Sequence, residues 1–452
     1  AASHTGALAG LDSAYQAAFR RAGVLRARTT EEMFDQARAL AWCPLPSGNQ
    51  VAILTNAGGP GVTAADALEE RGLGLTPLLP ATKEKLGEIL PSASSLQNPV
   101  DLLASSTPEQ FAGCLEILLE DPGVDSVMVI YPTPPMYTAG AVAKALIPVI
   151  QQAEKPVVVS VMGDRLIQEA VEHLRAARIP EYRFPERAAA ALHALVERRE
   201  LLEFSKAEEL KAQDINPDQV KKILSTAEPN RPLDALQSQQ ILEAYGISTG
   251  EMGLAKNSNQ AWDLAVKFGK PVALKIASSQ ISHKTDIGGV VLNLEGEDAI
   301  RSSFEKITQR ARKTNPEAEI EGVFVQEMHF GGQEVIVGSI QDPQFGAMLM
   351  FGSGGTDVEG LQDIAFCLAP ATEPEIEALL QETWAGQKLA GYRNLPPADQ
   401  AAVKETIIRL GQLAADFPEL GEIEINPLLV FEKGEGAAAV DARISRAETP
   451  EK

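Results

Sequence analysis

Two histidines, a strand-end lysine and a short run of carboxylate and amide side chains are the groups in this chain with the chemistry for phosphoryl transfer. His4 lies in Ser3-His4-Thr5-Gly6-Ala7, where small neighbours let the ring stand clear of its backbone. A neutral imidazole nitrogen is nucleophilic near neutral pH, so this ring can accept a phosphoryl group. An exposed terminal histidine reads the same way. His283 sits in Ser282-His283-Lys284-Thr285-Asp286-Ile287-Gly288-Gly289, a polar, glycine-bearing loop between two apolar strands, as expected of a mobile segment. His173 and His193 fall in amphipathic helices and are expected to be structural; His329 follows a strand and lines a turn.

Lys275 closes Val272-Ala273-Leu274-Lys275-Ile276. An ammonium in an apolar strand is costly unless it faces an anion or water, so a phosphate and an exposed strand edge both account for it. Glu327 ends one strand and Glu334 opens the next, so both are expected to reach one cleft at the hairpin. In Glu422-Ile423-Glu424-Ile425-Asn426-Pro427, a period of two sets Glu422, Glu424 and Asn426 on one face and the isoleucines toward the core. Joined by Asp441 from the neighbouring strand, those oxygens suit a hard cation such as Mg²⁺. Solvated carboxylates are the plainer reading. Two glycine-rich turns follow strands: Asn56-Ala57-Gly58-Gly59-Pro60-Gly61, which opens a helix, and Phe351-Gly352-Ser353-Gly354-Gly355-Thr356. Both can lay backbone N–H groups against an anion, although the first is neither a P-loop nor a GxGxxG turn.

The elements that must position these groups change rhythm along the chain. From Val51–Thr55 to about Phe204, apolar strands (Ser126–Tyr131, Pro156–Val161) alternate with helices (Pro108–Glu120, Ala139–Gln152, Leu166–Ala176, Glu186–Glu200). That pattern predicts an α/β domain: a flavodoxin-like parallel sheet covered on both faces. Residues 205–230 read as a polar linker with one short helix. From Leu233 onward strands often follow one another directly, as near Val323–Met328, Glu334–Ile340 and Ala347–Phe351, which predicts an antiparallel α+β sheet. Helices are expected at Ala235–Tyr245, Ser258–Phe268, Asp298–Lys313, Glu373–Ala390 and Pro397–Asp416, with late strands at Glu422–Phe431 and Ala437–Arg443.

Composition narrows the function class. The chain has 452 residues, 44% hydrophobic and 23% charged, with a formal charge of −22. Such a surface repels phosphate backbones and anionic lipid, so neither nucleic acid nor a membrane is an expected partner. An anionic substrate must be held by local amides, a few cations or metal. Cys43, Cys114 and Cys367 form no framework, which suits the cytoplasm. The uncharged stretches 39–65 and 126–143 are broken by proline and, in the first, paired glycines, so neither is expected to span a bilayer. The opening AASHTG carries no signal-peptide pattern and reads as the middle of a longer protein.

Taken together, the His4 loop, GGPG after the first strand, ALKI, SHKTDIGGV, FVQEM, GSGG and EIEINPLLV resemble the nucleoside-diphosphate-forming (ADP-forming) acyl-CoA synthetases, relatives of succinyl-CoA synthetase, over essentially the whole chain. The resemblance implies the end of a succinyl-CoA-synthetase-like domain at 1–45, a flavodoxin-like ligase domain at 46–204, a linker at 205–230 and an ATP-grasp α+β domain at 231–448. A CoA-binding domain would precede Ala1. The implied reaction converts acyl-CoA, phosphate and ADP to carboxylic acid, CoA and ATP through acyl phosphate and phosphohistidine. By the same resemblance His4 is the phosphohistidine, His283 a second relay histidine, and Glu424 the carboxylate that hydrogen-bonds the active ring. Asn426 and Asp441 match Mg²⁺ ligands, Lys275 the phosphate lysine, and Glu327 with Met328 the adenine hinge. Gly58, Gly59 and Gly61 match a helix start aimed at the phosphohistidine; Glu334, Gly352, Gly354 and Gly355 are placed with the nucleotide. The implied cofactors and ligands are ATP/ADP, Mg²⁺ and coenzyme A, with a small carboxylate or acyl-CoA as substrate and homo-oligomerisation left open. Cys367 stands where the family's DIAFRLAP-like segment carries arginine, so weakened phosphate or interdomain pairing is expected there. A second reading is the regulatory, non-catalytic portion of a protein lysine acetyltransferase, and a third is a stand-alone ATP-grasp ligase. Retention of His4 speaks against the second. The acyl group and the direction of flux are not legible.

Overall fold

The computed structural model describes residues 11–133, 136–227, 233–278, 280–281, 287–355, 363–393 and 395–447. They gather into two compact units: 19–206, and the described parts of 1–18 with 207–452.

The first unit is a parallel sheet. Its strands are β1 (Gln50–Thr55), β2 (Gly74–Leu75), β3 (Val100–Asp101), β4 (Ser126–Pro132), β5 (Val157–Met162) and β6 (Glu181–Tyr182), in the order β2-β1-β4-β5-β6 with β3 also on β1. This is the flavodoxin-like order the sequence predicts. Alternate residues feed two cores: Ala52, Leu54, Val127 and Val129 pack under helices Pro108–Glu120 and Ala139–Gln152, while Val51, Ile53, Met128 and Ile130 face helices Gly58–Glu69 and Pro185–Phe204. Burial on both faces is why these strands read as unbroken apolar runs. Helix Thr30–Trp42 belongs here as well. Arg187 grips Asp35 through two hydrogen bonds of 2.7 and 2.8 Å, and the Tyr182 hydroxyl donates to the Asp35 carbonyl.

The second unit holds two antiparallel sheets, where the sequence predicts one. The smaller runs β7-β10-β8-β9, from β7 (Met252–Ala255), β8 (Val272–Ala277), β9 (Val290–Leu294) and β10 (Gly322–Glu327). Helices Ser258–Phe268 and Glu297–Thr314 cover the face carrying Val272, Leu274, Ile276, Val323 and Val325. The larger runs β13-β12-β11-β14-β15, with β16 also on β14, from β11 (Gln333–Asp342), β12 (Gly346–Ser353), β13 (Ile364–Leu368), β14 (Leu420–Val430), β15 (Ala437–Ala439) and β16 (Ala442–Arg446). Its main core includes Val337, Leu349, Ile407, Leu410 and Ile425.

Three local readings change. Helix Glu373–Ala390 is two helices, Glu373–Glu382 and Trp384–Leu389, because Thr383 breaks helical geometry and its hydroxyl accepts from the Gly386 N–H. The strand expected at Ala437–Arg443 is split at Val440–Asp441. The stretch read as a linker contains helix Pro217–Thr226, as expected of one short helix, but Val220 is fully buried in the core of the second unit. No helix among the described residues is long and apolar enough to cross a membrane.

Candidate functional site

The second unit brings five of the predicted residues into one connected set. Lys275 lies on β8 opposite Phe324 of β10, so its side chain leaves the sheet on the face away from the helices, together with Gln326 and Met252. That ammonium is mostly buried and stands 3.6 Å from a carboxylate oxygen of the half-exposed Asp441. Asp441 sits in the break between β15 and β16, and its carbonyl accepts from the Asn426 N–H at 3.0 Å. The Asn426 Oδ1 accepts from the Gly355 N–H at 2.9 Å. Gly355 lies against Glu334, whose carboxylate oxygen is 2.1 Å from where a Cβ would stand. A pocket opens beside this set, lined by Lys275 and Asp441 along with Gln239, Thr249, Met252 and Gln326.

The split of the last strand is what exposes Asp441. After β15 the chain donates its Val440 N–H to Pro427 and its Ala439 N–H to Ser248, leaving the regular ladder before β16 resumes against Ile425. β14 is irregular at the same point: Val335 pairs with Leu428 but Val337 with Ile425, so one extra residue bulges at Asn426–Pro427. Bulges re-aim side chains, and here the bulge interrupts the strict period of two.

Several expectations are corrected by this geometry. Glu424 is 4% exposed between Gly338 and Arg443 in the ladder, so it is no solvated surface carboxylate. Among the described residues no group of three or more His, Cys, Asp or Glu gathers as a metal site, which reduces the proposed oxygen face to Asn426 and Asp441. The hairpin expected between Glu327 and Glu334 does not form, because β10 and β11 belong to different sheets. The Glu327 carboxylate accepts from the Lys270 ammonium and from the Glu251 N–H. Burial alone would raise its carboxyl, but those donors outweigh burial and hold it below the usual glutamate range. The N–H groups of Glu327 and Met328 are bonded to the carbonyls of Glu251 and Pro271, so an adenine edge meeting this segment would find those donors taken. In the second glycine turn, the Gly354 and Gly355 N–H groups are spent on Glu334 and Asn426. Gly352 lies within β12, where a Cβ would meet the Asp363 carbonyl at 2.0 Å. Close backbone approach at Gly352 and Gly354, and a positive φ at Gly355, account for these glycines without an anion. Cys367 is buried in the main core and is not among the residues lining the pocket.

The first unit carries a separate feature. Helix Gly58–Glu69 follows β1 with no side chain capping its start, and Asn56 beneath it is buried with an unpartnered Oδ1. A Cβ on Gly61 would meet the Thr55 methyl at 3.2 Å, whereas one on Gly59 would meet nothing within 4 Å. Uncapped N–H groups at the positive end of a helix dipole favour an anion. His4 and His283 lie outside the described residues.

Sequence reasoning missed Gln239 and Gln326. Gln326 left a signal, for it stands two residues after Phe324 in a strand that is apolar up to that point, on the same face as Lys275. Gln239, inside helix Ala235–Ala244, left none.

Comparison with known proteins matches three stretches: 225–445 with the family described as ATP-grasp domain, 51–198 with Ligase-CoA domain, and 1–40 with succinyl-CoA ligase like flavodoxin domain. The ADP-forming acetate–CoA ligase I of Archaeoglobus fulgidus is 39% identical over 446 residues, covering 98% of this chain and 63% of that protein. The ADP-forming 4-hydroxybutyrate–CoA ligase of Nitrosopumilus maritimus is 35% identical over 449 residues, covering 98% of this chain and 64% of that protein. The chain thus spans under two thirds of the length of these two relatives. The beta subunit of the ADP-forming acetate–CoA ligase I of Pyrococcus furiosus is 42% identical over 215 residues, covering 48% of this chain and 92% of that subunit. Matched along nearly its whole length by the longer proteins and over almost all of that subunit, this chain belongs to the ADP-forming acyl-CoA synthetase family.

Proposed function

We propose that the chain carries the phosphohistidine and nucleotide steps of an ADP-forming acyl-CoA synthetase, interconverting acyl-CoA, phosphate and ADP with carboxylic acid, CoA and ATP. A phosphate oxygen attacks the thioester carbonyl, the CoA thiolate leaves, and an acyl phosphate forms. A His4 ring nitrogen then takes the phosphoryl group as the carboxylate departs. Finally a β-phosphate oxygen of ADP attacks the phosphoramidate and releases the imidazole, with His283 as the relay near the nucleotide.

The observation that carries this reading is the meeting of Lys275 and Asp441 at one pocket edge, with Asn426 bonded to the Asp441 backbone. A mostly buried ammonium beside an open pocket suits a phosphate, and phosphoryl transfer asks mainly for positioning and charge neutralisation. Asp441 and the Asn426 Oδ1 are too few for a closed metal cage, but they fit Mg²⁺, which takes one or two protein oxygens and completes its shell with phosphate and water. Such an ion neutralises phosphate charge. The chain's own part is to hold Lys275 and Asp441 in place through the strand break and the Asn426 bulge. A small carboxylate or acyl-CoA as substrate, and a cytoplasmic site of action, complete the proposal.

The test is phosphorylation. Incubated with Mg²⁺ and γ-labelled ATP, the protein should take up acid-labile, base-stable label, and the His4→Ala/His283→Ala double variant should take up none. An unlabelled wild type, or full label in the double variant, removes the mechanism.

A further inference from the structure

Two glutamines that line the pocket beside Lys275 carry amide oxygens that none of the described residues satisfies. Gln239 and Gln326 are 6% and 3% exposed, and the Oε1 of each is buried without a partner. Their amide orientations are settled by their neighbours. The Gln239 Nε2 donates to the Gly250 carbonyl at 2.8 Å, the Thr249 Oγ1 at 3.0 Å and the Glu243 carboxylate at 2.7 Å. The Gln326 Nε2 donates to the Val440 carbonyl at 2.8 Å. Flipping either amide would set oxygen against oxygen, so the orphaned atoms are the carbonyl oxygens. A buried acceptor left unpaired is costly, and two lining one pocket are a reason to look for a donor that the protein lacks.

Resting on the nucleotide reading above, we propose that Gln239 and Gln326 are specificity determinants that accept hydrogen bonds from the nucleoside part of the bound nucleotide. A neutral N–H or O–H donor satisfies these oxygens; a phosphate, which only accepts, does not. In ADP those donors are the exocyclic amine of the base and the two ribose hydroxyls. Lys275 and Asp441, which line the same pocket, take the charged end of the ligand. The lining thus offers acceptors for the nucleoside, and an ammonium and a carboxylate for phosphate and its cation. Sites built to hydrogen-bond a ligand donor reject analogues lacking it far more strongly than apolar pockets reject a change of size.

Calorimetric binding of Mg·ADP, Mg·IDP, 2′-deoxy-ADP and 3′-deoxy-ADP to the full chain tests this. Inosine lacks the amine and each deoxy analogue lacks one hydroxyl, so the arms separate the two sources of donor. Wild type should bind at least one analogue about tenfold or more weakly than ADP, as expected for one lost hydrogen bond to a buried acceptor. In Gln326→Met or Gln239→Met that discrimination should shrink to within about twofold. A merely structural role, acting through Val440 on Asp441, would weaken all four ligands alike and leave the ratios unmoved. Equal binding of all four by wild type overturns the inference without touching the proposed reaction, as does discrimination that survives in both methionine variants. Failure of every nucleotide to bind overturns both.

Discussion

The two glycine-rich turns, Ala57–Gly61 and Gly352–Gly355, are close matches as strings and opposites in their surroundings. At the first, the helix starts without a side-chain cap and a Cβ on Gly59 would enter open space. At the second, a Cβ on Gly354 would stand 2.5 Å from the Val335 carbonyl carbon, and the Gly355 N–H is committed to Asn426. The first turn opens a helix that no side chain caps. The other uses the absence of side chains to press the end of β12 onto β11 and the Asn426 bulge, which in turn holds the backbone beside Asp441. Glycine admits both uses, and only the packing around it says which applies.

The same contrast separates the two glutamates at the ends of the β10–β11 connection. Glu334 lies against the Gly355 turn, whereas Glu327 is tied to Lys270 and Glu251. Glu327 belongs to the scaffold of the smaller sheet.

The largest expected effect is at the crowded turn. Gly354→Ala should destabilise the second unit by about 1–3 kcal/mol, the usual cost of forcing a methyl into a filled space, read as a lowered urea midpoint. An unchanged midpoint would erase the distinction between the turns. A smaller effect is expected at Glu327. Its carboxyl is held below the ordinary range, so its stabilising contribution is fully present above the unfolded glutamate value of about 4.3 and fades as pH falls through the lower folded value. Removing the donor in Lys270→Ala should cost at most about 1 kcal/mol near neutral pH, since the lysine is exposed, and should flatten the loss of stability on acidification. Equal acid sensitivity in wild type and variant would sever Glu327 from Lys270. The smallest effect belongs to the open turn: Gly59→Ala should be neutral or stabilising by up to about 1 kcal/mol in urea denaturation, because the helix accommodates a methyl there and the unfolded chain loses freedom. A destabilised Gly59→Ala would mean that this turn is as crowded as the other.

Much of the first unit was legible because its strands are buried on both faces. Ser126–Tyr131 was read within one residue of β4, whereas the two-residue strands β2, β3 and β6 carry too little pattern to register. In the second unit the register of single strands was readable but their grouping was not. Lys275 stood out as a charge in an apolar strand, yet nothing in the local pattern tells that β8 and β14 lie in different sheets. Asn426 and Asp441 were paired correctly as neighbours, but the expected partnership with Glu422 and Glu424 rested on an unbroken period of two, which the bulge interrupts.

By itself the order of residues determined the alternation of strands and helices, the parallel sheet, the net negative charge and the motifs that carry the family resemblance. These depend on local periodicity and side-chain chemistry, which survive without knowledge of neighbours. Tertiary structure alone decided which glycine N–H groups are committed to Glu334 and Asn426, where the last strand breaks to present Asp441, and that two glutamine oxygens on the pocket lining end without partners among the described residues. Each of those depends on atoms distant in the chain competing for the same donor or the same space, and no local pattern records the outcome of that competition.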